Sequence, residues 1–154
     1  MYYLAYGSNL NLNEMKEKCP FYKVIGRMFL YNYTLSFKGE ETGFLTIEPK
    51  EGSVVPIGIF KVNKLFIKNL DMYEDYPYLY NKKEIEFELY GKLVKGLIYI
   101  MNDDFDYAIP NDYYFNCCKV GYNDFNFDDF YLKEALDYTS NKIKSNEITR
   151  NLYL

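Results

Sequence analysis

The N-terminal stretch Tyr-Leu-Ala-Tyr-Gly-Ser-Asn-Leu, residues 3–10, constrains the fold of this chain more than any other. Residues 2–5 are apolar and aromatic, which is typical of a short buried strand. Gly7 then turns the chain, and a helix is predicted from about Leu12 to Cys19, ended by Pro20. A strand, a glycine turn and a helix start in succession leave backbone N–H groups unpaired and pointing one way. Because the positive end of the helix dipole lies beside them, such an arrangement binds anions.

The rest of the sequence alternates between strand-like and helical segments. Apolar alternation with a period of two predicts the strands, whereas Asn or Asp caps and prolines bound the helices. Strands are predicted at 23–28, 31–38, 44–48, 54–62, 84–89 and 93–101. Helices are predicted at 64–74, between Pro110 and Gly121, and from a cap at Asp128 to about Asn141. The turn-like residues 49–52 separate two of the strands, and the last two strands form a hairpin across residues 90–92.

Length and continuity predict one domain. The chain has 154 residues, which suits a single hydrophobic core, and no repeat, linker or low-complexity tract interrupts it. We therefore predict one α+β domain over residues 1–146, followed by a C-terminal tail at 147–154 to which the pattern assigns no structure. A monomer and a homodimer are both compatible with the sequence.

Composition argues against several classes of partner. The net charge is −4 with no run of Lys or Arg, so the basic patch on which nucleic-acid binding depends is missing. The same charge argues against an anionic membrane surface. No basic start followed by an apolar run marks a signal peptide, and no apolar stretch is long enough to span a bilayer. We therefore predict a cytoplasmic protein that binds neither nucleic acid nor membrane.

Histidine is absent from the sequence. Its absence removes Ser-His-Asp and Cys-His nucleophilic catalysis and leaves no imidazole to hold a catalytic zinc ion. The cysteines Cys19, Cys117 and Cys118 lack metal-ligand spacing, so we predict reduced structural thiols. Any acid or base chemistry must therefore use a carboxylate, Lys, Tyr or Cys.

Glu74 is the carboxylate best placed for such chemistry. It shares one face of the predicted helix with Ile67 and Leu70, near the helix C-terminus. Apolar neighbours and the negative end of the helix dipole both disfavour a charged carboxylate, so they raise its pKa toward neutrality. Helical position alone leaves open the alternative of a satisfied or solvent-reaching glutamate.

Short motifs spaced along the chain carry a family resemblance. They are Tyr-Gly-Ser-Asn-Leu at 6–10, Leu-Asp-Met-Tyr-Glu at 70–74, Pro-Tyr-Leu-Tyr at 77–80, Pro-Asn-Asp-Tyr-Tyr at 110–114 and Gly-Tyr at 121–122. Their order and spacing, over about residues 1–138, resemble the γ-glutamylcyclotransferase-like family, with its AIG2-like and γ-glutamylamine cyclotransferase-like members. The resemblance implies a small mixed, mostly antiparallel β-barrel flanked by helices, with a pocket at one end. It also implies release of 5-oxoproline from a γ-glutamyl compound. We predict that this reaction uses neither a metal nor an organic cofactor.

The resemblance further implies roles for particular side chains. The loop at residues 7–10 would hold the α-amino acid end of a small γ-glutamyl substrate through backbone groups, and Glu74 would be the catalytic general acid/base. With Tyr6 added as a wall of the pocket, the predicted substrate-binding residues are Tyr6, Gly7, Ser8, Asn9, Leu10, Tyr80 and Tyr114. The spacing from Glu74 to Tyr80 is closer to the γ-glutamylamine branch, whereas the Gly-Ser-Asn turn is less typical of that branch. The leaving group therefore stays open.

These assignments have alternatives. Gly7 can be a plain strand-to-helix turn, and Ser8 is a turn former or cap rather than a nucleophile because no histidine activates it. Tyr80 and Tyr114 can equally be core residues. An acidic run is interpreted as a solvated loop, with a weak divalent-cation site as the alternative: Asp103, Asp104 and Asp106. For function, the alternatives are a non-catalytic sensor of a γ-glutamyl or related ligand, and an interaction protein that uses its Tyr-rich surface or its tail.

Overall fold

A six-stranded sheet is the framework of the computed structural model, which describes residues 1–153. The strands are β1 (Tyr2–Ala5), β2 (Lys23–Gly39), β3 (Phe44–Lys61), β4 (Tyr80–Leu89), β5 (Lys92–Met101) and β6 (Asp106–Tyr107). Their order across the sheet is β4-β5-β1-β3-β2-β6; β1 and β5 are parallel and the other neighbouring pairs are antiparallel. The sheet curls into a half-barrel with helices beside it, which confirms the predicted α+β fold of mixed, mostly antiparallel strands.

The described residues also form four α-helices. They are α1 (Leu12–Lys18), α2 (Ile67–Tyr73), α3 (Asp112–Asp124) and α4 (Phe130–Leu152). Short 3₁₀ turns precede two of them, at Ser8–Leu10 and at Lys64–Phe66. The helix predicted at 64–74 is therefore divided into a 3₁₀ turn and α2, and Glu74 is the residue that caps the C-terminus of α2.

Two predicted helix ends are wrong. α3 does not end at Gly121 but passes through it. The glycine is needed for close packing instead: α3 lies so near the chain before α1 that a Cβ at this position would be 2.5 Å from the backbone nitrogen of Asn11. α4 does not end near Asn141 but continues to Leu152, because residues 142–152 contain neither Gly nor Pro. Much of the predicted tail is thus helical, and Leu154 lies outside the described residues.

Two pairs of predicted strands are each one strand. The strands predicted on either side of residue 30 join in β2, and those on either side of residues 49–52 join in β3, so the predicted separation at 49–52 is wrong. The turn remains as an excursion within β3, where the register with β2 shifts. Gly52 has a φ of 83°, and its N–H donates to Asn32 Oδ1 at 3.1 Å. A local bulge thus accommodates turn residues while the long strands pair on both sides.

β4 and β5 form the predicted hairpin. Leu89 pairs with Lys92, and the two turn residues between them, Tyr90 and Gly91, have φ values of 52° and 77°, as a tight hairpin turn of type I′ requires. β4 begins at Tyr80 rather than at the predicted residue 84, because its pairing with β5 already starts there. The ring of Tyr80 is consequently buried.

β1 lies inside the sheet and determines where the cavity forms. Its residues 3–5 are buried, and the strand pairs with β3 on one side and with β5 on the other. The chain then enters the 3₁₀ turn Ser8–Leu10, which packs against α3. Three parts of the chain therefore meet at the carboxyl end of β1: this turn, the end of α2 and the first half of α3.

Candidate active site

A cavity of about 230 Å³ opens at the carboxyl end of β1. Of the predicted site residues, those that line it are Tyr6, Gly7, Ser8, Asn9, Glu74, Tyr80 and Tyr114. The fold therefore brings together side chains that lie far apart in the sequence.

Leu10 does not line this cavity. Its side chain is fully buried and points toward Gly58 of β3, where an added Cβ would lie 2.5 Å from Leu10 Cδ2. Its backbone N–H donates to Gly7 O at 3.0 Å and closes the 3₁₀ turn. Leu10 thus shapes the turn from behind, and its N–H is already engaged.

The turn offers unpaired backbone donors to the cavity. The N–H groups of Gly7, Ser8 and Asn9 have no hydrogen-bond acceptor among residues 1–153. All three residues line the cavity, although Ser8 and Asn9 are buried. Since buried N–H groups are costly to leave unpaired, this end of the cavity suits an anionic or carbonyl oxygen.

Glu74 lines the same cavity, with few donors to stabilise its charge. Burial raises the pKa of Glu74 to about 7, and the positive charge of Lys18 opposes the rise. Its carboxylate accepts one hydrogen bond from the described residues, from Asn9 Nδ2 to Oε1 at 3.2 Å. A carboxyl group with such a pKa exchanges a proton readily near neutral pH.

The Asn9 side chain connects Glu74 to a buried lysine. Asn9 Nδ2 also donates to the Tyr3 hydroxyl at 2.9 Å, and Asn9 Oδ1 accepts from Lys18 Nζ at 2.7 Å. The sequence predicts that Asn9 belongs to the substrate-binding turn and can cap a helix, but it predicts no role for Lys18. Lys18 forms an i,i+4 ion pair with Glu14 and so resembles an ordinary surface lysine in the sequence. The packing that buries Lys18 has no local signal in the sequence.

Two of the predicted tyrosines have already used their hydroxyl protons. The Tyr6 hydroxyl donates to Tyr99 O at 2.5 Å, and the Tyr80 hydroxyl donates to Leu45 O at 2.6 Å. A phenol has one proton to donate, so neither hydroxyl can donate to a ligand without breaking a buried bond. Tyr6 and Tyr80 therefore form walls of the cavity.

Tyr114 differs from them because its hydroxyl is an acceptor. Leu45 N donates to the Tyr114 hydroxyl at 3.0 Å, which leaves the phenolic proton to turn either toward the thiol of Cys118 or into the cavity. A thiol is a weak acceptor, so a ligand oxygen in the cavity would compete for this proton successfully. The hydroxyl also lies near Gly7, with 3.4 Å from its oxygen to a Cβ built there.

Ser8 and Tyr73 form one rim of the cavity. Their hydroxyl oxygens are 2.9 Å apart, and burial raises the pKa of Tyr73 to about 12. Without a base to activate it, the Ser8 hydroxyl is a hydrogen-bonding group and not a nucleophile. Sequence reasoning missed Tyr73, although it directly precedes Glu74 in the motif.

Other predicted features lie outside the cavity. Cys19 and Cys118 are buried, Cys117 is half-buried, and all three are free thiols. Among residues 1–153, no group of three or more Cys, Asp or Glu side chains is arranged to hold a metal ion. Within the same part of the chain, no helix combines the length and apolar character that crossing a membrane requires.

Comparison with known proteins identifies the family. The family described as γ-glutamyl cyclotransferase, AIG2-like, matches residues 3–116. The chain belongs to this family. The match covers β1, the turn, Glu74 and the start of α3, so the cavity is built from the part of the chain that the family shares. No match is found among curated proteins.

Three solved structures share the fold of this chain. One described as a γ-glutamyl cyclotransferase is 22% identical, with a TM-score of 0.76 over 88% of this chain and 85% of its own. A human protein described as uncharacterised is 24% identical, with a TM-score of 0.75 over 87% and 85%. YkqA from Bacillus subtilis is 18% identical, with a TM-score of 0.70 over 89% of this chain and 54% of its own.

Proposed function

We propose that this protein is an enzyme that releases 5-oxoproline from a γ-glutamyl amide, with Glu74 as the general acid/base. Membership of the γ-glutamyl cyclotransferase, AIG2-like family supports the reaction class. The observation that carries the proposal is the pairing, in one cavity, of a carboxyl group of pKa about 7 with backbone N–H groups that have no protein acceptor among residues 1–153.

The reaction needs no protein nucleophile. The α-amine of the substrate attacks its own γ-carbonyl carbon, a C–N bond closes the five-membered ring, and the bond from that carbon to the leaving nitrogen breaks. Holding the amine against the carbonyl supplies roughly 7 to 11 kcal/mol when the geometry is well aligned. A chain without histidine is therefore suited to this chemistry.

Glu74 would carry the proton transfers. Its carboxylate takes a proton from the substrate α-ammonium, which makes the amine nucleophilic, and its carboxylic acid then gives this proton to the leaving nitrogen. The second proton lost by the ring nitrogen is passed to the leaving amine by the same group, so the amine departs as an ammonium ion and the lactam keeps one N–H. Both steps are efficient when the pKa of the group is near the working pH, and burial raises the pKa of Glu74 to about 7. The carboxylate ends the cycle in the form in which it began.

The turn after β1 would hold the other end of the substrate. The N–H groups of Gly7, Ser8 and Asn9 lie in the cavity wall and would bind the α-carboxylate. Tyr114 is the phenol whose proton can turn to the γ-carbonyl oxygen as negative charge develops there. Tyr80 would shape the pocket only, because its proton is held by Leu45 O.

The test is release of 5-oxoproline from a panel of γ-glutamyl amines and γ-glutamyl dipeptides. Wild type is compared with Glu74→Gln and with Glu84→Gln, a matched change at an exposed carboxylate of β4. We expect release by wild type and Glu84→Gln, and its loss in Glu74→Gln. Equal release by all three proteins would contradict the role of Glu74.

The same experiment distinguishes the enzyme from a sensor. A protein that binds members of the panel in a thermal-shift assay but converts none of them would be a non-catalytic binding module. In that case Glu74→Gln would change only the affinity. The small-molecule ligand would then be retained and the catalytic proposal abandoned.

A further inference from the structure

We propose that Lys18 is a positioning residue of this site: its ammonium group fixes the orientation of the Asn9 side-chain amide, and the amide in turn holds the Glu74 carboxylate. The effect on turnover rests on the proposed function, whereas the effect on Glu74 itself does not. Lys18 does not line the cavity, so it would act only through Asn9 and through its charge.

The surroundings of Lys18 hold its ammonium group in one place. The residue is buried, and Nζ lies 2.7 Å from Asn9 Oδ1 and 3.6 Å from Glu14 Oε2. Nζ also lies 3.3 Å above the centroid of the Tyr73 ring, a cation–π contact. These contacts come from three different side chains, and together they hold the ammonium group beside Asn9.

The chemistry of the amide explains why this matters. An asparagine side chain has one oxygen that accepts and one nitrogen that donates. With Oδ1 against the Lys18 ammonium, Nδ2 must face the opposite side, where it donates to Glu74 Oε1 at 3.2 Å and to the Tyr3 hydroxyl at 2.9 Å. The reversed amide would place oxygen against the Glu74 carboxylate and nitrogen against the ammonium, and both contacts would be repulsive.

Electrostatics lead to the same assignment. In the described part of the chain, Lys18 is the cation whose charge acts on Glu74, and it lowers the pKa that burial raises. The other titratable groups that face Glu74 are phenols and a thiol, all neutral near pH 7: Tyr3, Tyr6, Tyr73, Tyr80, Tyr99 and Cys118. Glu14 faces Lys18 itself. Removing the lysine therefore removes the charge that keeps Glu74 partly ionised near neutral pH.

The cost of burying this lysine supports a specific role for its ammonium group. Desolvation lowers the pKa of Lys18, and the carboxylates of Glu14 and Glu74 oppose this shift. A methionine of similar length would fill the same space without the cost of burying a charge. The contact with Asn9 Oδ1 is what a methionine could not supply.

The test measures Glu74 directly by ¹³C NMR titration of glutamate carboxyl groups. The Glu74 resonance is assigned by its absence from the Glu74→Gln spectrum. Lys18→Met is compared with wild type and with Lys16→Met, a matched change at an exposed position of α1. We expect the Glu74 titration to move up by about one pH unit in Lys18→Met, and to stay in place in Lys16→Met.

Lys18→Gln is the second variant, because glutamine can still donate to Asn9 Oδ1 but carries no charge. We expect it to show the same upward shift while retaining more of the wild-type kcat than Lys18→Met. The low-pH limb of kcat/KM should move up with the NMR titration in both variants. If Lys18→Met does not fold, the Glu74 titration in Lys18→Gln alone decides whether Lys18 is coupled to Glu74.

A Glu74 titration that is unchanged in the folded Lys18 variants would overturn the inference. Failure of wild type to release 5-oxoproline is a separate result. It would remove the proposed function, but the NMR titration would still establish or exclude the coupling of Lys18 to Glu74.

Discussion

Glu48 and Glu74 are two partly buried carboxylates with tyrosines close to them, yet their pKa values move in opposite directions. Burial raises the pKa of Glu48, but hydrogen bonds and a cation outweigh burial and hold it below its usual range. Its carboxylate accepts from the hydroxyls of Tyr138 at 2.5 Å and Tyr107 at 2.8 Å, and from Ser36 Oγ at 3.1 Å. Lys38 Nζ lies 3.4 Å away.

The tyrosines near Glu74 direct their protons elsewhere. Tyr6 and Tyr80 donate to backbone carbonyl oxygens, so among residues 1–153 Glu74 accepts only from Asn9, and burial dominates its pKa. The comparison teaches that the presence of hydroxyl groups around a carboxylate does not decide its proton affinity. Its pKa depends on whether those hydroxyl groups donate to the carboxylate or to other acceptors.

The largest expected effect is on turnover. Glu74→Gln should reduce kcat by at least about 100-fold, because general acid/base groups contribute roughly 10²- to 10⁴-fold. Glu48→Gln should lower stability but keep kcat near wild type, since Glu48 does not line the cavity. Steady-state release of 5-oxoproline from the best substrate measures both. A larger loss of kcat in Glu48→Gln than in Glu74→Gln would reverse the assignment of the two carboxylates.

The second effect is on stability. Glu48→Gln should lower the free energy of unfolding, whereas Glu74→Gln should raise it. Since its folded pKa of about 7 exceeds the ordinary value of 4.5, Glu74 destabilises the folded state progressively as the pH rises from 4.5 to 7, fully above pH 7, and not at all below pH 4.5. Glu74→Gln should therefore raise the free energy of unfolding at pH 8 by about 3 kcal/mol, from about 1.36 kcal/mol per pKa unit. Urea titrations at pH 4.5 and pH 8 measure this. A variant no more stable than wild type at pH 8 would show that Glu74 is not destabilising when ionised.

The third effect is the pH dependence of wild-type turnover. If ionised Glu74 accepts the first proton, kcat/KM should rise about 10-fold between pH 6 and pH 8, with an apparent pKa near 7. The matched control is a substrate-binding measurement over the same pH range. A flat profile would mean that a group other than Glu74 limits the rate.

The smallest expected effect is at the other carboxylate. Tyr138→Phe removes one donor to Glu48 and should cost about 1 kcal/mol of stability at neutral pH, where the carboxylate is ionised. Because the folded pKa of Glu48 is depressed, its stabilising contribution is lost as the pH falls through that folded pKa, and the difference from wild type should shrink there. Tyr31→Phe, at an exposed tyrosine of β2, is the control. Equal losses in the two variants would show that the hydroxyl of Tyr138 has no special role.

The sequence predicted which residues meet at the cavity better than it predicted the directions of their side chains. Strand, turn and Glu74 follow from local signals: apolar residues before Gly7, and a glutamate on an apolar helical face. Family resemblance added Tyr80 and Tyr114, and the structure brings all of these to one cavity. The sequence could not predict that the Leu10 side chain points into the core and away from the cavity. Its direction depends on packing against β3 and α3, which are distant in the sequence.

Long-range packing explains the remaining differences. Whether residues 49–52 end a strand or form an excursion depends on where β2 continues to pair, which no short window of sequence contains. The predicted helix end at Gly121 is wrong for the same reason. The glycine allows a close contact with Asn11, which is distant in the sequence, and does not end the helix. The commitment of the Tyr80 proton to Leu45 is likewise visible only in three dimensions.

The central position of β1 has a consequence for how the cavity is assembled. β1 precedes every partner that fixes it: β3, β5 and Tyr122, whose hydroxyl donates to Tyr6 O across 116 residues. Contacts of such high sequence separation form late and slowly in folding, because a long loop must close before they are made. The turn that would bind the substrate therefore depends on contacts that close only when distant parts of the chain meet. We expect binding competence to arise together with completion of the sheet.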